Sequence, residues 1–468
     1  MRPSRKAAAT ADYGVGVVWW PELDTLCRPG EGLVHVLEVE PETFWIPHGT
    51  PNTGFASSLP GLLGHRPQPK LLHGVGAPFG GGVKQSAAHQ AALAGDIAAL
   101  RPAWISDHLS FNQFVPVDGR HQAHSTGFFL PPAQCPDGVA QATAQIRRRS
   151  TTTGLDVAFE TPVSYLPPHP GEMPDGAFAA LVAEAADCGI VLDLHNLLCN
   201  ERNGRQSVED FCAAIPPHRV WEIHVAGGES QRGFWLDAHS GLVEPDLIAI
   251  LAEIVPHLPS LGAIIFEILP DRVAPTGLSA IGKMLEHLNR IWETRARPAV
   301  AVEQYPALVP ARDLITPALW EHALGAAVTG TEPPAHPPEL ENWFHSAEPA
   351  FDLYRYLAQE GRASALVETA PRTIRSLLTS MGEAGTRQLL GQFWRATTPA
   401  YTSAEEAWAF LDFLSTGDVA TPRLEADIAA DRRRLIEWSG EIQMKSQWDS
   451  PGAAVEVARA NGIAPSSR

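Results

Sequence analysis

Strand-like and helix-like segments alternate along this chain as far as about Ile291, and that alternation restricts the fold more than any other feature. Eight stretches have strand character: GVGVVWW from Gly14, HVLEVEP from His35, KLLHGVG from Lys70, WISDHLS from Trp104, LDVAFET from Leu155, GIVLDLHN from Gly189, VWEIHVAG from Val220 and AIIFEIL from Ala263. Between and after them, KQSAAHQAALAGDIAAL, PDGVAQATAQIRRRS, GAFAALVAEAADCG, EPDLIAILAEIVPHL and LSAIGKMLEHLNRIWE repeat apolar residues at intervals of three and four, the period of a helix. Strand then helix, repeated, implies a parallel sheet. VWEIHVA and AIIFEIL are too apolar for a sheet with one wetted face, so both faces are expected to be covered. The expectation is an α/β protein, a (β/α)8 TIM barrel over residues 13–295.

Six of the eight strands finish on side chains that bind metals. They supply His73, His108, Glu160, Asp193 with Asn196, His224 and Glu267, and the loop WLDAHSG adds Asp237 and His239. A TIM barrel gathers the C-terminal ends of its strands at one mouth, where active sites are built. A lone strand histidine is more often a hydrogen-bonded core residue than a ligand. Glu160, Asp193 and Glu267 are different, because an unpaired carboxylate inside an apolar strand is costly to bury and these strands bring no Lys or Arg beside them. Asp237 and His239, two apart in an extended segment, would point the same way. Imidazoles, carboxylates and one amide without thiolate suit Fe, Mn or Zn. Nine donors exceed the needs of one ion, so two or three ions bridged by carboxylates are expected.

The formal charge of −18 opposes nucleic-acid binding, which needs clustered Lys and Arg. Five cysteines without regular spacing make neither a disulfide framework nor a CxxC zinc site. No run of about eighteen apolar residues could span a membrane, and the N-terminus lacks a signal-like apolar core. A cytoplasmic enzyme is expected. Residues 1–12 are expected to be disordered, 296–340 to be a Pro-rich linker, 341–445 a small all-α C-terminal domain and 446–468 a disordered tail. Within the helical domain, Thr402 with Glu405 forms a capping-box pattern and Thr421-Pro422 marks a second helix start.

The motifs HGVG at His73, SDHLSF at Ser106, FETPVSY at Phe159, CGIVLDLHN at Cys188, EIHVAGG at Glu222, DAHSG at Asp237 and FEI at Phe266 resemble the multinuclear non-heme iron-dependent oxidases. That family, once called domain of unknown function 692, includes the oxidase of methanobactin biosynthesis. The resemblance covers roughly residues 13–295 and keeps the family's motif order. It implies a TIM barrel holding two or three irons, in mixed Fe(II)/Fe(III) states, that uses O2 to modify a ribosomally made precursor peptide, commonly at cysteine, in natural-product biosynthesis. It implies iron binding by His73, His108, Glu160, Asp193, Asn196, His224, Asp237, His239 and Glu267. The C-terminal YRYLAQEGRASALVETAPRTIRSLL is similar to the separate partner proteins that hold the leader of the peptide, so the chain is expected to be a fusion of oxidase and partner.

Two positions depart from the family pattern. The sixth-strand motif usually carries two asparagines, and the first is His195 here; strand alternation would turn it away from Asn196, and it is left out of the expected site. Cys199 is expected to be a buried bystander. The first strand typically carries an Arg and a His where this chain has Val18, Trp19, Trp20 and Pro21. Two other classes share parts of the pattern. Endonuclease IV, a three-zinc nuclease, has the same nine-position arrangement, and xylose isomerase-like enzymes share the architecture more loosely. Asn196 separates them, since the nuclease has a His there. A metal-dependent peptide-binding module without chemistry is the non-enzymatic alternative.

Overall fold

The computed structural model describes residues 12–28, 30, 32–47, 54–116, 123–295, 314–400, 402–417 and 421–448. The expected N-terminal segment 1–12 and tail 446–468 lie outside them, apart from Asp12 and residues 446–448.

All eight sequence-predicted strands form. They are β1 (Gly14–Val18), β2 (Val36–Val39), β3 (Lys70–Gly74), β4 (Ile105–His108), β5 (Val157–Glu160), β6 (Gly189–Asp193), β7 (Val220–Ala226) and β8 (Ala263–Glu267). Each pairs in parallel with its neighbours in the sequence, and β8 closes on β1, giving a closed (β/α)8 barrel. The strands are buried along their length because the barrel interior takes one face and the helices take the other. Inward-facing Val18, Val36, Leu71, Ala158, Val191, Ala263 and Ile265 pack with Trp104 and Trp221 as one apolar layer. Gly189 is required for that layer: a Cβ there would lie 2.2 Å from the Trp221 ring. The interior of such a barrel is a packed core, closed beneath the polar residues of the strand ends.

By its internal contacts the chain divides into two compact units, with boundaries unlike those expected from sequence. The first unit comprises residues 1–40, 67–83 and 102–355 and contains the barrel. It runs past residue 295. Residues 296–313 lie outside the described residues, but the rest of the expected linker is not a spacer. Pro317–Thr329 is a helix whose N-terminus is capped by the Thr316 side chain, and its Trp320 and His322 are buried. Trp320 donates its indole N–H to Pro131 O at 3.0 Å, and the Glu321 carboxylate accepts from Gly82 N–H at 3.0 Å and Gln141 Nε2 at 2.7 Å. Contacts of this kind fix the segment to the barrel's own loops, which a semi-rigid spacer would not do.

The second unit takes residues 41–66 and 84–101 together with everything from Tyr356. Helices Pro371–Ala396, Ser403–Thr416 and Pro422–Trp448 share a core that includes Leu377, Phe393, Phe410 and Leu414. The hairpin Trp45–Pro47 with Phe55–Ser57 and the helix Ala87–Leu100 also belong to this unit. The expected helical domain at 341–445 therefore loses its first turns to the barrel unit and gains two segments from between barrel strands. The capping box at Thr402 and Glu405 forms as its spacing predicts. No described helix is long and apolar enough to cross a membrane.

Candidate metal centre

Register decides which side chains meet at the barrel mouth. Parallel pairing sets His108 of β4 beside Glu160 of β5, and Asp193 of β6 beside His224 of β7. Glu267 ends β8 level with Ala226, two residues beyond His224. His73 stands on β3 beside Ser106. The C-terminal strand ends thus gather their donors at one mouth of the barrel.

All nine expected donors converge. His73 Nε2 lies 2.8 Å and His108 Nε2 3.2 Å from the same oxygen, Glu160 Oε2. His224 Nδ1 is 3.2 Å from Glu267 Oε1, and His239 Nε2 is 3.3 Å from Glu267 Oε2 and 2.9 Å from Asp237 Oδ1. Asn196 donates from Nδ2 to Glu160 Oε1 at 2.9 Å. Four groups of three have ligand atoms within 4.8 Å of one another: His73, His108 and Glu160; Glu160, Asp193 and His224; Asp193, His239 and Glu267; and Glu38, His224 and Glu267. Glu160, Asp193, His224 and Glu267 each serve two groups, and for the three carboxylates this is the arrangement expected where neighbouring ions share bridging ligands. Asp237 stands outside these groups and joins through His239.

Exposure gives the centre a direction. The side chains of His108, Asp237 and His239 are 15%, 19% and 24% exposed, whereas His73, Glu160, His224 and Glu267 are at 5% or less. Solvent reaches the centre past His108 and the DAHSG loop. His239 itself has φ 43°, a left-handed conformation uncommon for a residue with a side chain and concentrated at functional sites. Asp237 and His239 therefore converge through a turn of the backbone, not through the simple extended alternation read from Asp-x-His.

The electrostatics are those of buried carboxylates set against buried imidazoles. Burial, together with Glu160, Glu267 and Asp237, pushes the Asp193 carboxyl well above the usual carboxylate range. Burial opposes charge on His73, but Glu160 and Glu38 overcome it and raise its pKa to about 10. His224 and His239 are likewise raised against burial, by Glu38 and Glu267 and by Asp237 and Glu267 respectively. Protons and metal ions would compete for these nitrogens. Asp193 Oδ2 and Asn196 Oδ1 are buried without a hydrogen-bond partner among the described residues, and the ring nitrogens of His224, Asp237 Oδ1 and His239 Nε2 meet only other ionisable groups of the cluster. Buried polar atoms are rarely left so, and a cluster of them facing one space fits bound cations.

Other groups hold the donors in place. The Ser106 hydroxyl lies 2.8 Å from His73 Nδ1, leaving Nε2 toward Glu160. Asp193 accepts the Asn196 N–H as the N-cap of helix Leu194–Arg202, and its own N–H is donated to the Thr161 hydroxyl. This cap corrects the reading of His195. The strand ends at Asp193 and residues 194–202 are helical, so strand alternation does not apply. His195 faces the centre's rim, with Nε2 3.7 Å from Asp237 Oδ1 and 3.6 Å from Cys199 Sγ.

Sequence reasoning missed Glu38. It is fully buried on β2, and its Oε1 lies 3.0 Å from His224 Nε2, across the ring from Glu267. Burial and the nearby Glu222 push its pKa to about 8. The signal was available: VLEV is as apolar around Glu38 as VAFE is around Glu160. Glu222, also fully buried, accepts the Trp104 indole N–H at 2.9 Å. Glu38 can thus fix which nitrogen of His224 carries the proton. Glu38→Leu is expected to lower metal affinity by about 10- to 100-fold, the usual cost of losing such a partner, and Glu38→Gln, which keeps an acceptor, by less. Chelator competition on the full chain measures both.

The sequence model of the RiPP precursor modification enzyme family MbnB/TglH/ChrH matches residues 14–273. A UPF0276 protein of Anaeromyxobacter sp. (strain Fw109-5) is 28% identical over 271 residues, covering 57% of this chain and 91% of that protein. A UPF0276 protein of Chromobacterium violaceum is 28% identical over 226 residues, covering 47% and 79%. Among solved structures, a D-psicose 3-epimerase determined in the presence of D-fructose aligns at 12% identity with a TM-score of 0.36, covering 59% of this chain and 96% of that one.

Proposed function

This chain belongs to the RiPP precursor modification enzyme family MbnB/TglH/ChrH, which makes it an enzyme acting on a ribosomally made precursor peptide, and on that premise we propose that it is an O2-dependent, multinuclear iron oxidase. The observation that carries the reading is the convergence of nine sulfur-free donors at the mouth of the barrel, with Asp193 Oδ2 and Asn196 Oδ1 otherwise unpartnered among the described residues. We assign His73, His108 and Glu160 to one iron, Glu160, Asp193, His224 and Glu267 to a second, and Asn196, Asp237 and His239, with Asp193 or Glu267, to a third. Bound iron would supply one-electron chemistry with O2 and Lewis acidity toward a substrate heteroatom, such as a cysteine sulfur.

The protein's own part is to hold and to exclude. Ser106 and Glu38 orient His73 and His224, Thr161 and the Asp193 cap set the start of helix Leu194–Arg202, and Asn196 steadies Glu160. The apolar layer beneath keeps water from entering from below. Peptide would approach past His108, Asp237 and His239, the three most exposed donors. In the same reading the helical unit from Tyr356 onward docks the precursor peptide, taking the place of a separate partner. Its exposed Val367, Leu378 and Met381 are apolar side chains that a peptide could cover.

Elemental analysis with Mössbauer spectroscopy on protein purified without chelators is expected to find two to three metal ions per chain, chiefly iron, and O2 uptake should require the precursor peptide. Zinc alone, with no activation by added Fe(II), would favour a hydrolase.

A further inference from the structure

The matched family region ends at residue 273, yet the barrel unit runs on to Arg355. Within that extra length, the helix Glu348–Thr369 carries Tyr354, which is fully buried. Its hydroxyl oxygen accepts the backbone N–H of Tyr165 at 3.1 Å. The Tyr165 hydroxyl in turn accepts the backbone N–H of Asp237 at 3.2 Å, and the two tyrosine rings pack with centroids 5.4 Å apart. On its other side, Tyr354 meets Phe128 at 5.9 Å, and the adjacent Phe129 stacks on the His108 ring at 4.2 Å and 20°. One side chain thus reaches toward both exposed edges of the metal centre, His108 and the DAHSG loop.

The rest of the segment is anchored where this would matter. Trp320 is bonded to Pro131, next to the strand His124–Leu130 that carries Phe128 and Phe129, and Trp343 donates to Pro167 at 3.0 Å, two residues beyond Tyr165. A backbone N–H that ends on a fixed acceptor holds its loop in one conformation. Asp237 needs such an anchor, because the loop it begins includes His239 in a left-handed conformation.

We propose that Tyr354, from beyond the family-matching region, is a positioning residue of the metal centre: through the Tyr165 hydroxyl it fixes the Asp237–His239 loop, and through Phe128 and Phe129 it backs the His108 ring. The inference rests on the reading of these residues as metal ligands, but it does not depend on which metal or which peptide is used.

The test uses the full chain, stripped by chelator and titrated with Fe(II) under anaerobic conditions, beside backbone hydrogen exchange of the stripped protein. Tyr354→Phe keeps the ring and removes the acceptor. It is expected to speed exchange of the Tyr165 and Asp237 amides and to weaken the last-bound ion by about 10-fold or more, within the range for partners that orient metal ligands. Tyr354→Ala should weaken it further. Phe351→Ala removes an equally buried ring three residues earlier that packs against Trp343 and Phe344; it should lower the melting temperature without changing Fe(II) affinity. Tyr354→Phe with unchanged Asp237 exchange and unchanged affinity would overturn the proposal. So would Phe351→Ala matching Tyr354→Ala in lost affinity, since the effect would then be general loosening. A wild-type chain that binds no Fe(II) would instead sink the metal-centre reading itself.

Discussion

Glu160→Ala is expected to strip more than one metal ion from each chain, whereas His108→Ala should lose one. Glu160 serves two of the ligand groups, and its Oε2 is the common neighbour of His73 and His108. His108 serves one. Loss of a group that only orients a ligand already costs about 10- to 100-fold, so turnover of Glu160→Ala should fall by at least about 100-fold. The fold should survive, because the carboxylate sits above the packed layer of the barrel and His73, left without its counter-charge, can become neutral. Metal content by elemental analysis, with circular dichroism as the control for folding, separates the two variants. Equal metal loss from both would mean that Glu160 is not shared.

Ending the chain at Pro334 is expected to destabilise the barrel and lower its metal content, not simply to detach a docking module. The cut removes Leu340, Trp343, Phe351 and Tyr354, all buried in the barrel unit. Emptying the space of a large buried aromatic costs about 3–5 kcal/mol for each in ordinary cores, and a whole domain is stable by only about 5–15 kcal/mol. A drop in melting temperature of more than about 10 °C, or insoluble protein, is the expected result. Fragment 335–468 added in trans should restore part of the loss. A truncated barrel with the melting temperature and iron content of the full chain would show that this segment contributes nothing to the barrel.

The barrel was legible because each strand is a short apolar run ended by a polar residue, and the nine donors because they stand at those ends. Glu38 breaks that rule, since it lies one residue inside the strand Val36–Val39, and it was passed over for that reason. His195 was misplaced for a reason of boundaries: Asp193 is both the last residue of β6 and the cap of the next helix, so a period of two was carried one step too far. The helices at Pro317 and Pro338 were hidden by their prolines. Each proline occupies a first helical turn, where its missing N–H costs nothing, yet in a Pro-rich stretch it reads as a breaker. Tyr354 lay beyond local reading altogether, since its partner Tyr165 is 189 residues earlier.

The cysteines carry a consequence for an enzyme that would handle O2. Cys27, Cys135, Cys188 and Cys199 are buried, and none of the five is disulfide-bonded. Burial holds the thiols of Cys188, Cys199 and Cys212 above their ordinary range, that of Cys212 at about 11. A thiol attacks and is oxidised mainly as thiolate. Those three thiols are therefore held in their protonated, less reactive form, and packing alone suppresses sulfenic acid formation at them.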